Sequence, residues 1–401
     1  MYDRSSAVWR RRRDTTERTG HRPGSLARCR WRNALLARNL LHTRLCESLG
    51  IEYPIVAFTH CRDVVAAVTN AGGFAVMGET HHTPDEIEAD IKWIREKVGG
   101  KPFGIDLLFS ASTPAQGTIE ELKSQIPAEQ RAFAEDIKKR HHIPPPKGRS
   151  DLYDFGWLNQ DTPRRQLEVV LEEKVAVLAA GLGSPVFTLE AAHARGMQVW
   201  GLIGKPRQAQ RQLDAGVDAI VAQGIDAGGH VGPIGTFSLI PQVAAMAGDT
   251  PVIAAGGITT GRHLAGALTL GASGVWTGTV WLASHESDRE MVIKEKLLAA
   301  TMEDTSNSTC VSGFTMRTLR TQWHEEWARP EAPKPAPAPY QLLLIADVKQ
   351  AAVDFGLEDF MLEAAGQGVG FITELKSAKQ IVLDMAEEAL DVFEEVTGEG
   401  R

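Results

Sequence analysis

The stretch with the clearest chemical potential is GIDAGGHVG, Gly224 to Gly232, where one imidazole, His230, stands among glycines at 228, 229 and 232. An imidazole titrates near neutrality and is well suited to move a proton at physiological pH. A lone loop histidine is more often inert, but this glycine context makes His230 the candidate proton-transfer or substrate-orienting group. Two other turns are rich in glycine: AAGGIT, Ala254 to Thr259, and WTGT, Trp276 to Thr279. Paired glycines after a buried strand let backbone amides approach an anion, and a following helix N-terminus adds favourable dipole charge. Gly256 and Gly257, ahead of a helix at Gly261 and beside Gly278 and Thr279, therefore form a candidate phosphate cradle. Either pair alone is more often a plain tight turn; their joint placement carries the reading. His60 ends another apolar run and is a second candidate at the site, whereas His81 and His82 read as surface residues.

These groups need a frame that brings them together. From residue 45 onward, short apolar runs alternate with amphipathic helical stretches, the pattern of βα units around a parallel sheet. Eight runs recur: Tyr53 to Phe58, Phe74 to Gly78, Phe103 to Phe109, Val175 to Gly181, Gln198 to Ile203, Ala219 to Ile225, Pro251 to Gly257 and Gly274 to Leu282. Eight parallel strands predict an α/β fold of the (β/α)₈ type, a TIM barrel, with catalytic groups at the carboxyl ends of the strands and a phosphate after strands seven and eight. Residues 110–165 form an insertion between the third and fourth strands, read as a lid or oligomer contact. Its adjacent His141 and His142 point opposite ways on an extended backbone and suggest no metal site. Residues 301–401 read as a helical extension packing on the barrel 44–300, with a Pro-rich loop over 330–339.

Composition narrows the function classes. Hydrophobic residues make up 43% and charged residues 23%, so the chain is able to bury a sizeable core and is not disordered as a whole. The net charge of −8 hides an asymmetry: residues 1–40 carry eleven Arg against three acids, which leaves the remainder at −16. An acidic body repels phosphate backbones, which argues against nucleic-acid binding. Residues 1–43 show little core periodicity and read as a disordered Arg-rich arm. No apolar run is long enough for a membrane span, and Cys29, Cys46, Cys61 and Cys310 have no paired spacing, so free thiols in a cytoplasmic protein are expected.

Taken together, GIDAGGHVG, AAGGIT, AGGFAVMG at Ala71 to Gly78, FGIDLLF, and AAGQGVG at Ala364 to Gly370 resemble the nitronate monooxygenase (2-nitropropane dioxygenase) family of FMN barrels. The similarity covers roughly residues 44–300 and returns near 364–396. It implies FMN phosphate contacts from Gly256, Gly257, Gly278 and Thr279, and ring or ribityl contacts from Phe58, Thr59, Asp106, Gln223 and Gly228. It implies that Gly229, His230 and His60 border the substrate. Two positions depart from the family pattern: Ala57 to His60 lacks the Met many relatives carry, and Gly181 stands where one branch places a His base. The segment around Gly181 instead looks like the FMN-dependent enoyl-acyl-carrier-protein reductases.

The resemblance implies oxidation of a nitronate or nitroalkane, with bound FMN as electron acceptor and dioxygen as the oxidant that regenerates it. His230 would remove the α-proton or orient the anion. A reductase of enoyl-thioester or quinone type, fed by NAD(P)H, is the alternative; no GxGxxG follows the first strand, so no Rossmann site supports it. A flavin-binding protein without turnover is a third. No metal is expected, and a homo-oligomer is compatible with the insertion.

Overall fold

The computed structural model describes residues 40–109, 118–154 and 161–398. Residues 1–39 of the Arg-rich arm, and Phe155 and Trp157 of the insertion, lie outside these residues; the arm's expected end at residue 43 needs correction, because Leu41 is buried in the core and Thr43 donates to the Ser273 carbonyl. Eight parallel strands close into a barrel, β1 (Ile55–Thr59), β2 (Phe74–Gly78), β3 (Gly104–Leu108), β4 (Val177–Gly181), β5 (Gln198–Ile203), β6 (Ala219–Gln223), β8 (Val252–Ala255) and β9 (Gly274–Thr277). β9 pairs back onto β1, with Ala57 opposite Thr277, so no edge is left open.

Alternation along the strands divides the core in two. Val56, Val76, Val177, Ala179, Trp200, Val221, Ile253 and Trp276 point inward and fill the barrel. Their neighbours, such as Ala57, Met77, Ile105, Leu178, Ile220 and Val275, face the surrounding helices. Continuous apolar runs therefore follow from strands covered on both sides. The helix Arg44–Leu49 contributes Leu45, Cys46 and Leu49 to the inner cluster and closes one end.

The same period of two decides what lies at the other end. Continuing the inward series toward the carboxyl ends reaches Phe58, Gly78, Asp106, Gly181, Leu202, Gln223, Gly257 and Gly278. Half of these lack a side chain, so the barrel stops being filled there and a cavity begins.

The extension after residue 300 supplies more than helices. A hairpin, β10 (Thr305–Ser308) and β11 (Met316–Leu319), pairs with the short strand β7 (Gly229–His230), placing Met316 opposite His230. The insertion helices Ile119–Ser124 and Ala128–Arg140 are tied to this extension. Buried Glu326 accepts from Arg140 at 2.6 Å and His141 at 2.7 Å, and Tyr153 donates to Asp347 at 2.6 Å. His141 thus serves a carboxylate tie between the two segments.

The last helix, Ala378–Thr397, packs across the helix Gly261–Thr269 and the helix Arg62–Asn70. A Cβ at Gly261 would sit 2.4 Å from the Met385 carbonyl, so only glycine permits this crossing. Glu388 Oε2 accepts from the Gly261 amide at 2.7 Å and caps the helix beginning there. Replacing Glu388 by Ala should cost about 1 kcal/mol and lower Tm by roughly 1–2 °C, as loss of an N-terminal cap does in a unit of this size. Differential scanning calorimetry checks this, and an unchanged Tm would show that the Glu388 cap contributes nothing.

Candidate functional site

The cavity at the carboxyl end of the barrel has a volume of about 1060 Å³. It brings together every residue singled out from the sequence: Phe58, Thr59, His60, Asp106, Gln223, Gly228, Gly229, His230, Gly256, Gly257, Gly278 and Thr279 all line it. Each arrives on the end of a strand or the turn that follows.

On the cradle side, Gly256 and Gly257 turn away from β8 with φ of 110° and 70°, a region that strains any residue with a Cβ. The expectation that the helix at Gly261 adds its dipole needs correction. Its amides are already taken, Gly261 by Glu388 and Thr260 by His263 Nδ1 at 3.2 Å. The run ending at Leu282 also stops earlier than expected: β9 ends at Thr277, and Gly278 precedes a short helical turn, Thr279–Leu282. Amides at the start of this turn and at Gly256 and Gly257 are therefore the candidate donors for an anion.

The AAGQGVG segment explains its glycines here. A Cβ at Gly228 would lie 2.8 Å from the Ala365 carbonyl carbon, and one at Gly368 would lie 3.0 Å from the Gly257 carbonyl. Three stretches of bare backbone meet behind the cradle, and Gly366 donates to Thr279 Oγ1 at 2.9 Å. At Gly278 the opposite holds: an added Cβ meets nothing closer than the Phe58 carbonyl at 4.0 Å. That position opens into the cavity.

The adjoining strand β1 and the end of β9 carry the aromatic side of the cavity. Phe58 stacks on Trp276, ring centroids 5.4 Å apart, and meets His60 edge-on at 5.2 Å. Thr59 is tied up locally, its Oγ1 accepting from the Cys61 amide at 3.1 Å. Asp106 is buried and its Oδ1 has no hydrogen-bond partner among the described residues. Burial pushes its pKa up to about 7. A buried carboxyl with an unused oxygen facing a cavity is a polar group awaiting a ligand. With the glycine cradle, it suits a ligand that carries both an anionic group and a polar edge, as a flavin nucleotide does.

His230 is held from two sides. Gln223 Nε2 donates to its carbonyl at 3.1 Å, and its ring Nε2 lies 2.8 Å from Ser312 Oγ. Ser312 is buried in the turn between β10 and β11 and escaped the sequence reading, because nothing local marks a serine 82 residues away as a partner. Burial lowers the His230 pKa to about 4, so the ring is neutral at physiological pH. His60 is also held neutral, first by burial, against the effect of its 2.7 Å bond to the Gly78 carbonyl. That bond places the proton on Nδ1 and leaves Nε2 as an acceptor. The ion pair of Arg289 and Glu363, 2.8 Å apart, also lines the cavity and was likewise missed. Cys46, Cys61 and Cys310 are free, as expected, and buried, while Cys29 lies outside the described residues.

A family profile described as nitronate monooxygenase matches residues 42–388. A Mycobacterium tuberculosis protein whose name calls it a monooxygenase, without a substrate, is 42% identical over 89% of this chain and 99% of its own. A nitronate monooxygenase of Pseudomonas aeruginosa is 31% identical over 84% of this chain and 96% of its own. Among solved structures, a nitroalkane oxidase of Streptomyces ansochromogenes is similar with a TM-score of 0.72 at 27% identity, covering 88% of this chain and 99% of that one. FabK of Thermotoga maritima is similar with a TM-score of 0.67 at 28% identity, covering 89% and 99%.

Two substitutions test this geometry. Gly278→Asp adds a carboxylate without backbone strain, and should weaken flavin retention by tenfold or more, about 1.4 kcal/mol, with the apoprotein Tm unchanged. Flavin titration by fluorescence quenching reads this out, and undiminished affinity would place the phosphate elsewhere. For His230, a folded pKa of about 4 against an ordinary 6.5 favours the folded state fully above pH 6.5 and loses that contribution as pH falls toward 4. The stability gap between wild type and His230→Asn should therefore shrink over that window in urea unfolding; a gap that grows on acidification would mean the ring is folded as an imidazolium.

Proposed function

Because the chain belongs to the nitronate monooxygenase family of flavin-dependent oxidoreductases, we propose that it oxidises alkyl nitronates with dioxygen, using FMN. The observation that carries this is the juxtaposition, in one cavity, of a bare-backbone anion cradle, an unpartnered carboxyl at Asp106 and a neutral imidazole at His230. Gly256, Gly257, Gly278 and Thr279 would hold the phosphate, and Phe58, Asp106 and Gln223 would meet the ring or ribityl chain. Bound FMN would supply the electron acceptor that dioxygen regenerates.

The protein's own part is orientation and proton control. A base works best with a pKa near the working pH, and His230 lies well below it. It is thus better suited to holding an already ionised nitronate than to deprotonating a neutral nitroalkane. A negative substrate beside the ring raises its proton affinity, so binding and proton uptake reinforce each other. Ser312 keeps the ring in place, and Gly229 beside it leaves room for a small substrate, since a Cβ there would meet nothing within 4 Å.

Gly181 and the similarity to FabK favour a second reading, an NAD(P)H-dependent reductase of the enoyl-thioester type. No imidazole projects from β4, so that wall offers the same plain surface to either substrate. Anaerobic mixing separates the two. Reduction of the flavin by propionate 3-nitronate alone is the expected result; reduction only by NADH or NADPH would select the reductase, and no response to either would select a flavin binder without turnover. His230→Asn should slow oxidation of a neutral nitroalkane by 10²- to 10⁴-fold if it is the base. Equal losses for nitroalkane and nitronate, with full flavin content, are expected if it orients the anion.

A further inference from the structure

We propose that Glu79, His82 and Asp90 bind one first-row divalent cation, such as Zn²⁺ or Co²⁺, at the rim of the barrel in the loop that follows β2. The proposal does not depend on the identity of the flavin substrate.

Glu79 is the first residue after β2 and is fully buried. Its Oε2 lies 2.6 Å from His82 Nδ1, and Asp90 Oδ2 lies 3.3 Å from the same nitrogen. One ligand atom from each of the three falls within 4.8 Å of the others. Glu79 Oε1, in contrast, is buried without a hydrogen-bond partner among the described residues. Burying a carboxylate with one oxygen unused is costly, and a single imidazole N–H does not satisfy two carboxylates. A cation in their midst resolves both deficits.

The dimensions fit. Zinc bonds to imidazole nitrogen and carboxylate oxygen run about 2.0–2.2 Å, and two such bonds at a tetrahedral angle set their donors about 3.4 Å apart. The three groups need only a small outward shift. One nitrogen and two carboxylates suit Zn²⁺, Co²⁺ or Mn²⁺ better than a thiophilic ion.

The supporting groups hold the donors in register without competing for the centre. The Gln166 amide donates to the carbonyls of Glu79 at 3.0 Å and His82 at 2.7 Å, pinning the loop. Arg62 binds the other oxygen of Asp90, Oδ1, at 2.9 Å and leaves Oδ2 turned to His82. Such outer contacts orient metal ligands. The His82 side chain is 37% exposed, which gives an ion a way in and leaves a position for water. The sequence hid this site because its ligands are spaced across a loop and the second turn of a helix, and only the fold brings Asp90 back to Glu79.

The test uses the flavin-loaded protein, stripped with EDTA and dialysed against Zn²⁺ or Co²⁺. One ion per chain is expected, with visible d–d bands for Co²⁺ free of the intense sulfur charge-transfer absorption. His82→Ala and Glu79→Gln should each weaken binding by tenfold or more with flavin content unchanged. Asp90→Asn, which keeps the shape of the side chain, gives the same reading if either variant fails to fold. Absence of stoichiometric binding to wild type overturns the proposal and leaves His82 as a clamp between two carboxylates. Undiminished binding in the variants, or a sulfur charge-transfer band, also overturns it by placing the ion elsewhere.

Discussion

The structure depends on three strips of backbone meeting where no side chain fits. The loop after β6, the turn after β8 and the 364–370 segment approach so closely that a Cβ at Gly228, Gly366 or Gly368 would collide with a neighbouring main chain. Amides thereby come within bonding distance of acceptors across the seam, Gly366 of the Thr279 hydroxyl and Gln367 of the Asp226 carbonyl, each at 2.9 Å. What remains on the open side is a wall of peptide groups facing the cavity. An anion site built this way has no long side chain to order on binding, so little conformational entropy opposes ligand capture.

That packing makes the extension beyond residue 300 a part of the site. Its hairpin extends β7, its serine holds His230, and its 364–370 segment backs the cradle. The insertion is secured in turn to this extension through Glu326, Asp347 and the pairing of Asp151 with Lys349. Asp151 and Lys349 both line the cavity. The barrel offers the floor, and two segments outside its repeat, joined to each other by polar contacts, build the outer wall. Variation in such segments changes what enters without disturbing the strands.

The barrel was legible because strand alternation and turn glycines are local signals. The runs at Phe74 to Gly78 and Gln198 to Ile203 match their strands residue for residue, and the inward positions Asp106 and Gln223 follow once the period is known. The eighth run overshot, since apolar Val280, Trp281 and Leu282 continue the strand's composition while the chain has already turned at Gly278. The hairpin at 305–319 was not separable, because its strands are short and polar and become ordered only by pairing with Gly229 and His230. Partners fixed by long-range contact, such as Ser312 to His230 and Arg289 to Glu363, left no local trace.

The electrostatics of the mouth bear on what it can receive. His230 is neutral at physiological pH, and the Asp106 carboxyl is drawn by burial toward its protonated form. Neither group brings a full fixed charge to the wall, and Arg289 is already matched by Glu363. An entering anion therefore meets no full fixed charge from these two groups, and each retains the capacity to hold or take a proton as negative charge approaches. In a low-dielectric cavity that response is larger than in water. A site arranged this way lets the charge of the ligand set the protonation of the wall, which suits the proposed binding of an anionic substrate and a phosphate-bearing cofactor in one cavity of a protein whose body is itself acidic.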